Sequence, residues 1–144
     1  MVTACVACRQ TQHKAENEKI TVSPQREQET LISETTVATV YNALPSQCNA
    51  DHLTTASMFV IDPARISEYR ILAMERTMMA EYGISYGDQV LVQGAGEYDG
   101  LWYVEDTMNK RYAGQHRIDF LVPESVKSGK WQNVKVYKIE KQEN

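Results

Sequence analysis

The sequence predicts a small, mainly β-structured domain that folds as a barrel or a sandwich. Six to seven short segments with β-branched or alternating residues follow one another after residue 35, and only short stretches with a helical pattern separate them. The chain has 144 residues, enough for one domain with a modest core. Its 7 glycines and 4 prolines are too few for a low-complexity chain.

The first strand is predicted at residues 36–41, where β-branched residues alternate with small ones. Residues 42–53 contain Pro45 and predict a loop, and the apolar run 58–61 stops at Asp62 and Pro63. The remaining predicted strands are 70–74, 89–93, 101–104, 117–122 and 133–139.

Helical signals are short and lie between these strands. Residues 76–82 predict about two helical turns, with Gly83 placed to end them. Residues 123–128 predict one further turn. The strand that begins at Leu101 is entered through Asp99-Gly100, a turn pair.

Residues 1–35 have a different character and are interpreted as a lipoprotein-like segment followed by a flexible tether. Val2-Thr3-Ala4-Cys5 resembles a bacterial lipobox, in which Cys5 is lipidated, and Cys8 is a second possibility. Residues 10–34 are rich in Gln, Glu, Lys, Ser and Thr and predict a disordered polar spacer. A Cys-x-x-Cys redox pair, a zinc site and an inert remnant stay open as alternatives.

Composition and motifs exclude several classes of function. The formal net charge is −4, from 15 Lys and Arg against 19 Asp and Glu, which disfavours nucleic-acid binding. No apolar run reaches the roughly 18 residues of a membrane-spanning helix. Phosphate-binding loops, zinc-protease motifs and serine-hydrolase motifs are absent, and the 3 histidines are scattered. We therefore predict no metal and no cofactor.

Three carboxylates beside predicted strands are the residues with the clearest chemical potential. Glu75 and Asp106 each end a strand, and Asp119 lies inside one, between Ile118 and Phe120. Because side chains alternate along a strand, Asp119 faces away from these apolar neighbours. It points either to solvent or to a groove, where burial and a second carboxylate would raise its pKa. The residues alone leave both possibilities open.

Six segments in order resemble the 3D domain, a family named for three aspartates. This family is related to the double-psi β-barrels of the MltA-type lytic transglycosylases, the Sps/YuiC-like proteins and RlpA. The segments are Thr39-x-Tyr41, Thr55-Ala56-Ser57, 72–76, 84–90, 104–107 and 114–119. This chain departs from the family at four places: Glu75 replaces the first aspartate, Met108-Asn109 replaces a glycine pair, and the loop 110–114 is longer. The fourth is a long insertion, containing Asp62-Pro63, that separates Ala56 from Ala73.

The resemblance implies a fold: a six-stranded double-psi β-barrel over residues 36–140, with short helices, preceded by the disordered tether. It also implies a site in which Asp119 is the general acid/base and Asp106 and Glu75 tune it. The strands of Asp106 and Asp119 are expected side by side. Substrate-binding residues are expected at Tyr41, Thr55, Tyr112 and His116. Trp102 and Tyr103 are either further sugar-stacking surfaces or core.

Two functions follow as expectations. The first is a peptidoglycan lytic transglycosylase that cleaves the MurNAc–GlcNAc bond with one carboxylate. The alternative is a cell-wall glycan-binding lipoprotein without activity, which the loss of the glycine pair favours. Both place the protein in the bacterial cell envelope, in the periplasm or as an outer-membrane lipoprotein. The expected partners are peptidoglycan glycan strands and, through a lipid on Cys5, a membrane.

Overall fold

The computed structural model describes residues 28–45 and 51–140, which form a closed barrel of six strands. The order around the barrel is β1-β5-β2-β4-β3-β6. The strands are β1 Gln28–Tyr41, β2 Ile71–Met74, β3 Gln89–Gln93, β4 Gly100–Thr107, β5 Arg117–Leu121 and β6 Lys130–Glu140. The prediction of a mainly β, six-stranded barrel is confirmed.

Strand β1 begins at Gln28, inside the stretch that the sequence analysis assigns to the tether. This polar part of β1 pairs antiparallel with the end of β6, from Gln28 opposite Glu140 onward. The buried positions here are hydroxyl residues rather than apolar ones, with Thr36 donating a 2.8 Å hydrogen bond to Ser33. The polar composition of residues 28–35 therefore gave no sign of the strand that they form in the barrel.

Two pairs of strands are parallel, namely β1 with β5 and β2 with β4. Parallel neighbours need crossover connections, so residues far apart in sequence meet on adjacent strands. The other four contacts between neighbouring strands are antiparallel.

Apolar side chains form two clusters on opposite faces of the barrel wall. The interior cluster includes Leu72, Met74, Trp102, Phe120 and Val136. A smaller cluster packs against the outer face of β1, β5 and β2. Its members are Tyr41, Ile61, Ile66, Ile71, Ala73, Met108 and Leu121. Because Ile61 and Ile66 come from the segment between β1 and β2, that segment covers this part of the outer wall.

The helices are short. Helix α1 spans Ile66–Tyr69 and was not predicted. Helix α2 spans Arg76–Tyr82, as predicted, and Gly83 ends it with a φ of 65°. Three 3₁₀ turns lie at Pro63–Arg65, Gly96–Tyr98 and Lys110–Tyr112. Residues 123–128 form a non-helical turn, in which the Val126 N–H donates to the Pro123 carbonyl. In the described ranges no helix is both long and apolar enough to cross a membrane.

Candidate functional site

Two of the predicted carboxylates lie in one row across the outer face of the barrel. Asp119 on β5 is opposite Thr39 on β1 and opposite Ala73 on β2. Ala73 is in turn opposite Asp106 on β4. Ala73 belongs to the outer cluster, whereas its neighbours Leu72 and Met74 point into the barrel. We call Thr39, Asp119, Ala73 and Asp106 the carboxylate row.

A β-bulge on β4 brings Asp106 to this face. Leu72 pairs with Val104, but the next residue, Ala73, pairs with Asp106, so Glu105 is an extra residue on β4. Val104 points into the barrel, and strict alternation would turn Asp106 inward as well. The extra residue reverses that direction, which is a known use of bulges near functional sites.

The two aspartates are not on neighbouring strands, which corrects the expectation that their strands lie side by side. Strand β2 separates β4 from β5, and Ala73 is the residue between the two carboxylates. Two strand spacings put the Cα atoms of Asp106 and Asp119 roughly 10 Å apart. Across that separation the charge of Asp106 still raises the pKa of Asp119.

Asp119 has the electrostatics of a group that exchanges a proton near neutrality. Burial raises its pKa from 3.8 to about 6, and the charge of Asp106 adds to the increase. A 2.8 Å hydrogen bond from the Thr39 hydroxyl to Oδ1 and the charge of Arg117 act in the opposite direction. The residue is partly exposed on the outer face of the barrel.

Asp106 is held by donors from three parts of the chain. Its Oδ2 accepts a 3.0 Å hydrogen bond from the Tyr41 hydroxyl, and its Oδ1 accepts from the backbone N–H groups of Ala56 at 3.0 Å and Thr107 at 2.9 Å. Asp106 therefore ties the loop after β1 to the end of β4. Tyr41, predicted to bind substrate, contacts the site through this bond.

Glu75, the third predicted catalytic carboxylate, is the N-cap of helix α2. It is 1% exposed and accepts hydrogen bonds from the Thr77 hydroxyl, the Thr77 and Met78 N–H groups, and the N–H of Gly114. Burial by itself would raise its pKa, but these hydrogen bonds outweigh burial and lower the pKa below its ordinary value. Its carboxylate oxygens therefore accept hydrogen bonds from the first turn of α2 and from the loop before β5.

The remaining predicted binding residues are distributed unevenly around the row. Thr55 is buried, and its hydroxyl accepts from the Phe59 N–H within a tight turn. Tyr112 packs against the outer cluster, with the Arg117 guanidinium 4.4 Å from its ring centroid. His116 instead contacts Ser33 at 3.1 Å and the ring of Tyr82 on α2.

The two aromatic residues of β4 have different environments. Trp102 is 3% exposed in the barrel interior and is therefore core. Tyr103 is 43% exposed and lines a cleft of about 280 Å³ on the outer face. The other lining residues are Phe59, Tyr69, Ile71 and Glu105. Since Ile71 and Tyr103 are paired one row away from Ala73 and Asp106, this aromatic cleft adjoins the carboxylate row.

Met108 and Asn109, which stand where the resembled family has a glycine pair, have a simple local structure. Met108 is buried in the outer cluster, and its N–H donates to the Met74 carbonyl. Asn109 has a φ of −53° and caps the turn Lys110–Tyr112 by accepting from the Arg111 N–H. Neither residue has the positive φ that favours glycine, so this chain makes a different turn here.

Sequence reasoning missed Thr39 as the partner of Asp119, and it missed Arg117 and Glu105. The register of parallel strands and the bulge place these residues, and neither is visible in a one-dimensional pattern. In the part of the chain that the structure describes, no group of three or more His, Cys, Asp or Glu side chains is arranged to hold a metal ion. Cys5, Cys8 and Cys48 lie outside the described residues.

The site is thus a fixed pair of aspartates on the outer barrel wall, one with a raised pKa, beside an aromatic cleft. Comparisons with family models, with curated proteins and with solved structures found no match.

Proposed function

We propose that this protein is a lytic transglycosylase that cleaves peptidoglycan glycan strands with Asp119 as its general acid/base. The observation that carries the proposal is the half-buried Asp119, oriented by Thr39, with a pKa raised to about 6. A carboxyl group with a raised pKa is what glycosidic cleavage requires of its acid.

The proposed reaction needs only one such group. Protonated Asp119 donates its proton to the glycosidic oxygen as the bond from that oxygen to the muramyl C1 breaks. The resulting carboxylate then takes the proton of the muramyl 6-hydroxyl, whose oxygen bonds to C1 and closes a 1,6-anhydro ring. The proton returns to Asp119 and no water is consumed, so a carboxylate pair at the spacing of an inverting glycosidase is unnecessary.

Neighbouring groups support this role. The charge of Asp106 favours the protonated form of Asp119, and Asp106 is itself fixed by three hydrogen bonds. The cleft beside the row offers the exposed ring of Tyr103 together with Phe59 and Tyr69. Aromatic faces pack well against the apolar faces of sugar rings, so this cleft is the natural place for the saccharide next to the cleaved bond.

The test is digestion of purified cell-wall sacculi by the full-length protein, with the products read by mass spectrometry. Anhydro-muramyl ends are expected from the natural protein and from the control Asp51→Asn, whose side chain is exposed. Asp119→Asn should lower their yield by ~10²–10⁴-fold, the usual contribution of general acid catalysis. Asp106→Asn should lower activity and move the pH optimum downwards. Full activity of Asp119→Asn would remove the carboxylate mechanism.

A second function, glycan binding without cleavage, is favoured by the replacement of the glycine pair with Met108 and Asn109. Unchanged sacculi that retain bound protein in the same experiment would establish it. Both functions include lipidation at Cys5 and a place in the cell envelope. Labelling with a fatty-acid analogue should tag the full-length protein and leave Cys5→Ser untagged; equal labelling would exclude the anchor.

A further inference from the structure

Arg117 lies on the same face of β5 as Asp119, on the side of the row away from the aromatic cleft. The two residues are two positions apart in one strand, which places their Cα atoms about 7 Å from each other on one face. No ion pair joins them in the described residues, although the charge of Arg117 lowers the pKa of Asp119. Arg117 therefore lies near the reacting group without being neutralised by it.

The guanidinium of Arg117 has a donor with no acceptor. Its Nε is buried and makes no hydrogen bond within residues 28–45 and 51–140. Its terminal nitrogen reaches the Gln115 side chain only at 3.5 Å. A buried charged donor without an acceptor is unfavourable, and such groups in native proteins call for a specific explanation.

Tyr112 orients this guanidinium and a second one. The Arg117 guanidinium lies 4.4 Å from the ring centroid and that of Arg111 lies 4.8 Å from it. Arg111 also donates a 2.9 Å hydrogen bond to the Tyr112 hydroxyl. Since the ring is packed on the outer cluster, both cations are held in place before any ligand arrives.

The local charge differs in sign from that of the whole chain. Residues 110–117 contain one lysine, two arginines and one histidine, with no Asp or Glu, in a protein of net charge −4. A planar, stacked guanidinium holds its N–H donors in a rigid fork that matches the two oxygens of a carboxylate.

We propose that Arg117, assisted by Arg111, forms a subsite for a carboxylate of the glycan, beside the bond that Asp119 protonates. This inference rests on the proposed function and assigns the residues that recognise the acidic group of the saccharide. The carboxylate has two possible sources, which share the same chemistry: the lactyl group of the muramyl sugar and the peptide attached to that sugar.

The test measures binding by calorimetry to the full-length Asp119→Asn protein, in which turnover is blocked. The probes are a neutral N-acetylglucosamine oligomer, a peptide-free glycan oligomer with lactyl carboxylates, and the same oligomer carrying peptides. The acidic oligomers should bind roughly tenfold or more tightly than the neutral one, as expected for charge-assisted hydrogen bonds. A preference for the peptide-free or for the peptide-bearing oligomer identifies the source.

Variants in the same background assign the effect to the residue. Arg117→Gln should abolish the preference for acidic oligomers and leave the affinity for the neutral oligomer unchanged. Arg117→Lys should retain part of the preference for acidic oligomers, because the charge remains but the planar fork of the guanidinium is lost. The control Arg76→Gln, at an exposed position in α2, should change neither the preference for acidic oligomers nor the affinity for the neutral one. Equal affinity for neutral and acidic oligomers, or a preference that survives Arg117→Gln, overturns the proposal.

A direct probe separates this subsite from the proposed function. Sodium lactate is titrated into the full-length protein while the Arg117 Nε–H signal is followed by NMR. If no oligomer binds but lactate shifts that signal in a saturable way, the carboxylate subsite stands and the glycan function fails. If lactate leaves the signal unmoved and no oligomer binds, the subsite is overturned as well.

Discussion

Asp119 is subject to opposing influences, and their balance places its pKa near 6. Burial and the charge of Asp106 favour the protonated acid, whereas the Thr39 hydrogen bond and the Arg117 charge favour the carboxylate. An acid that must give up and regain a proton in one cycle needs such a balance near the working pH. Small changes to one neighbour should therefore appear directly in the pH dependence of the reaction.

Thr39→Val should extend activity to higher pH. The substitution keeps the shape of the side chain but removes the hydroxyl that donates to the Asp119 carboxylate. Without that bond the protonated form of Asp119 is favoured, so its pKa rises above about 6. The alkaline limb of the pH–rate profile therefore moves to higher pH. The measurement is the pH–rate profile on glycan strands, with exposed Thr35→Val as the control. An alkaline limb that stays in place would contradict this account.

At the scale of the element, helix α2 depends on Glu75. Glu75→Gln should lower stability at pH 7 by about 1–3 kcal/mol, because charge-assisted hydrogen bonds to the first turn become neutral ones. The folded-state pKa of Glu75 is lowered, so its contribution is present above the unfolded value of 4.5 and is lost as pH falls through the folded value.

Urea denaturation of the two proteins at pH 7 and at pH 3 checks this prediction. The difference in unfolding free energy should be largest at pH 7 and should shrink as the pH falls below 4.5, because the glutamate of the unfolded chain is protonated first. A difference independent of pH would mean that the charge of Glu75 is not what stabilises the helix. A catalytic role of Glu75 stays a prediction, which the activity of Glu75→Gln at a temperature where it is folded would test.

The segment that covers the outer wall behaves as a second element, held by its own small core. Ile66→Ala should cost about 2–4 kcal/mol locally, because Ile66 is 7% exposed in the outer cluster. Hydrogen exchange should speed up in residues 51–69 and stay unchanged in β3. Activity should fall too, because the Ala56 N–H that holds Asp106 comes from this segment.

The matched control is Val92→Ala in the barrel interior, where the side chain is fully buried. It should accelerate exchange of the slowest amides throughout the barrel, because it lowers global stability. If Ile66→Ala also accelerated hydrogen exchange uniformly in the segment and in the barrel, the two would unfold together.

At the scale of the whole molecule, closure of the barrel depends on the pairing of β1 with β6. That pairing begins at Gln28 opposite Glu140 and continues through Leu31 opposite Tyr137. A chain that starts at residue 36 would leave the end of β6 as an open edge. Compared with the chain 28–144, the chain 36–144 should melt at lower temperature and elute partly as oligomers in size-exclusion chromatography. Equal melting and monomeric elution of both would contradict the assignment of residues 28–35 to the barrel.

The local elements of this protein can be predicted from its amino-acid sequence. Alternation of β-branched residues predicted the strands, and the bounds of β3 and α2 agree with the structure. Gly83 was correctly placed at the end of α2. These features depend on short-range physics, namely side-chain periodicity and the left-handed conformation that glycine tolerates. The start of β1 was missed because its buried positions are occupied by Ser33 and Thr36 rather than by apolar residues.

Which side chains share a surface depends on the strand order and register of the folded barrel. The strand order put β2 between Asp106 and Asp119, and the bulge at Glu105 turned Asp106 outward. Pairing across parallel strands set Thr39 against Asp119, and the pKa of Asp119 follows from that burial and those neighbours. Register and bulges are settled by contacts between residues far apart in the chain. A sequence pattern can therefore name the carboxylates, but only the closed barrel determines their spacing and their environment.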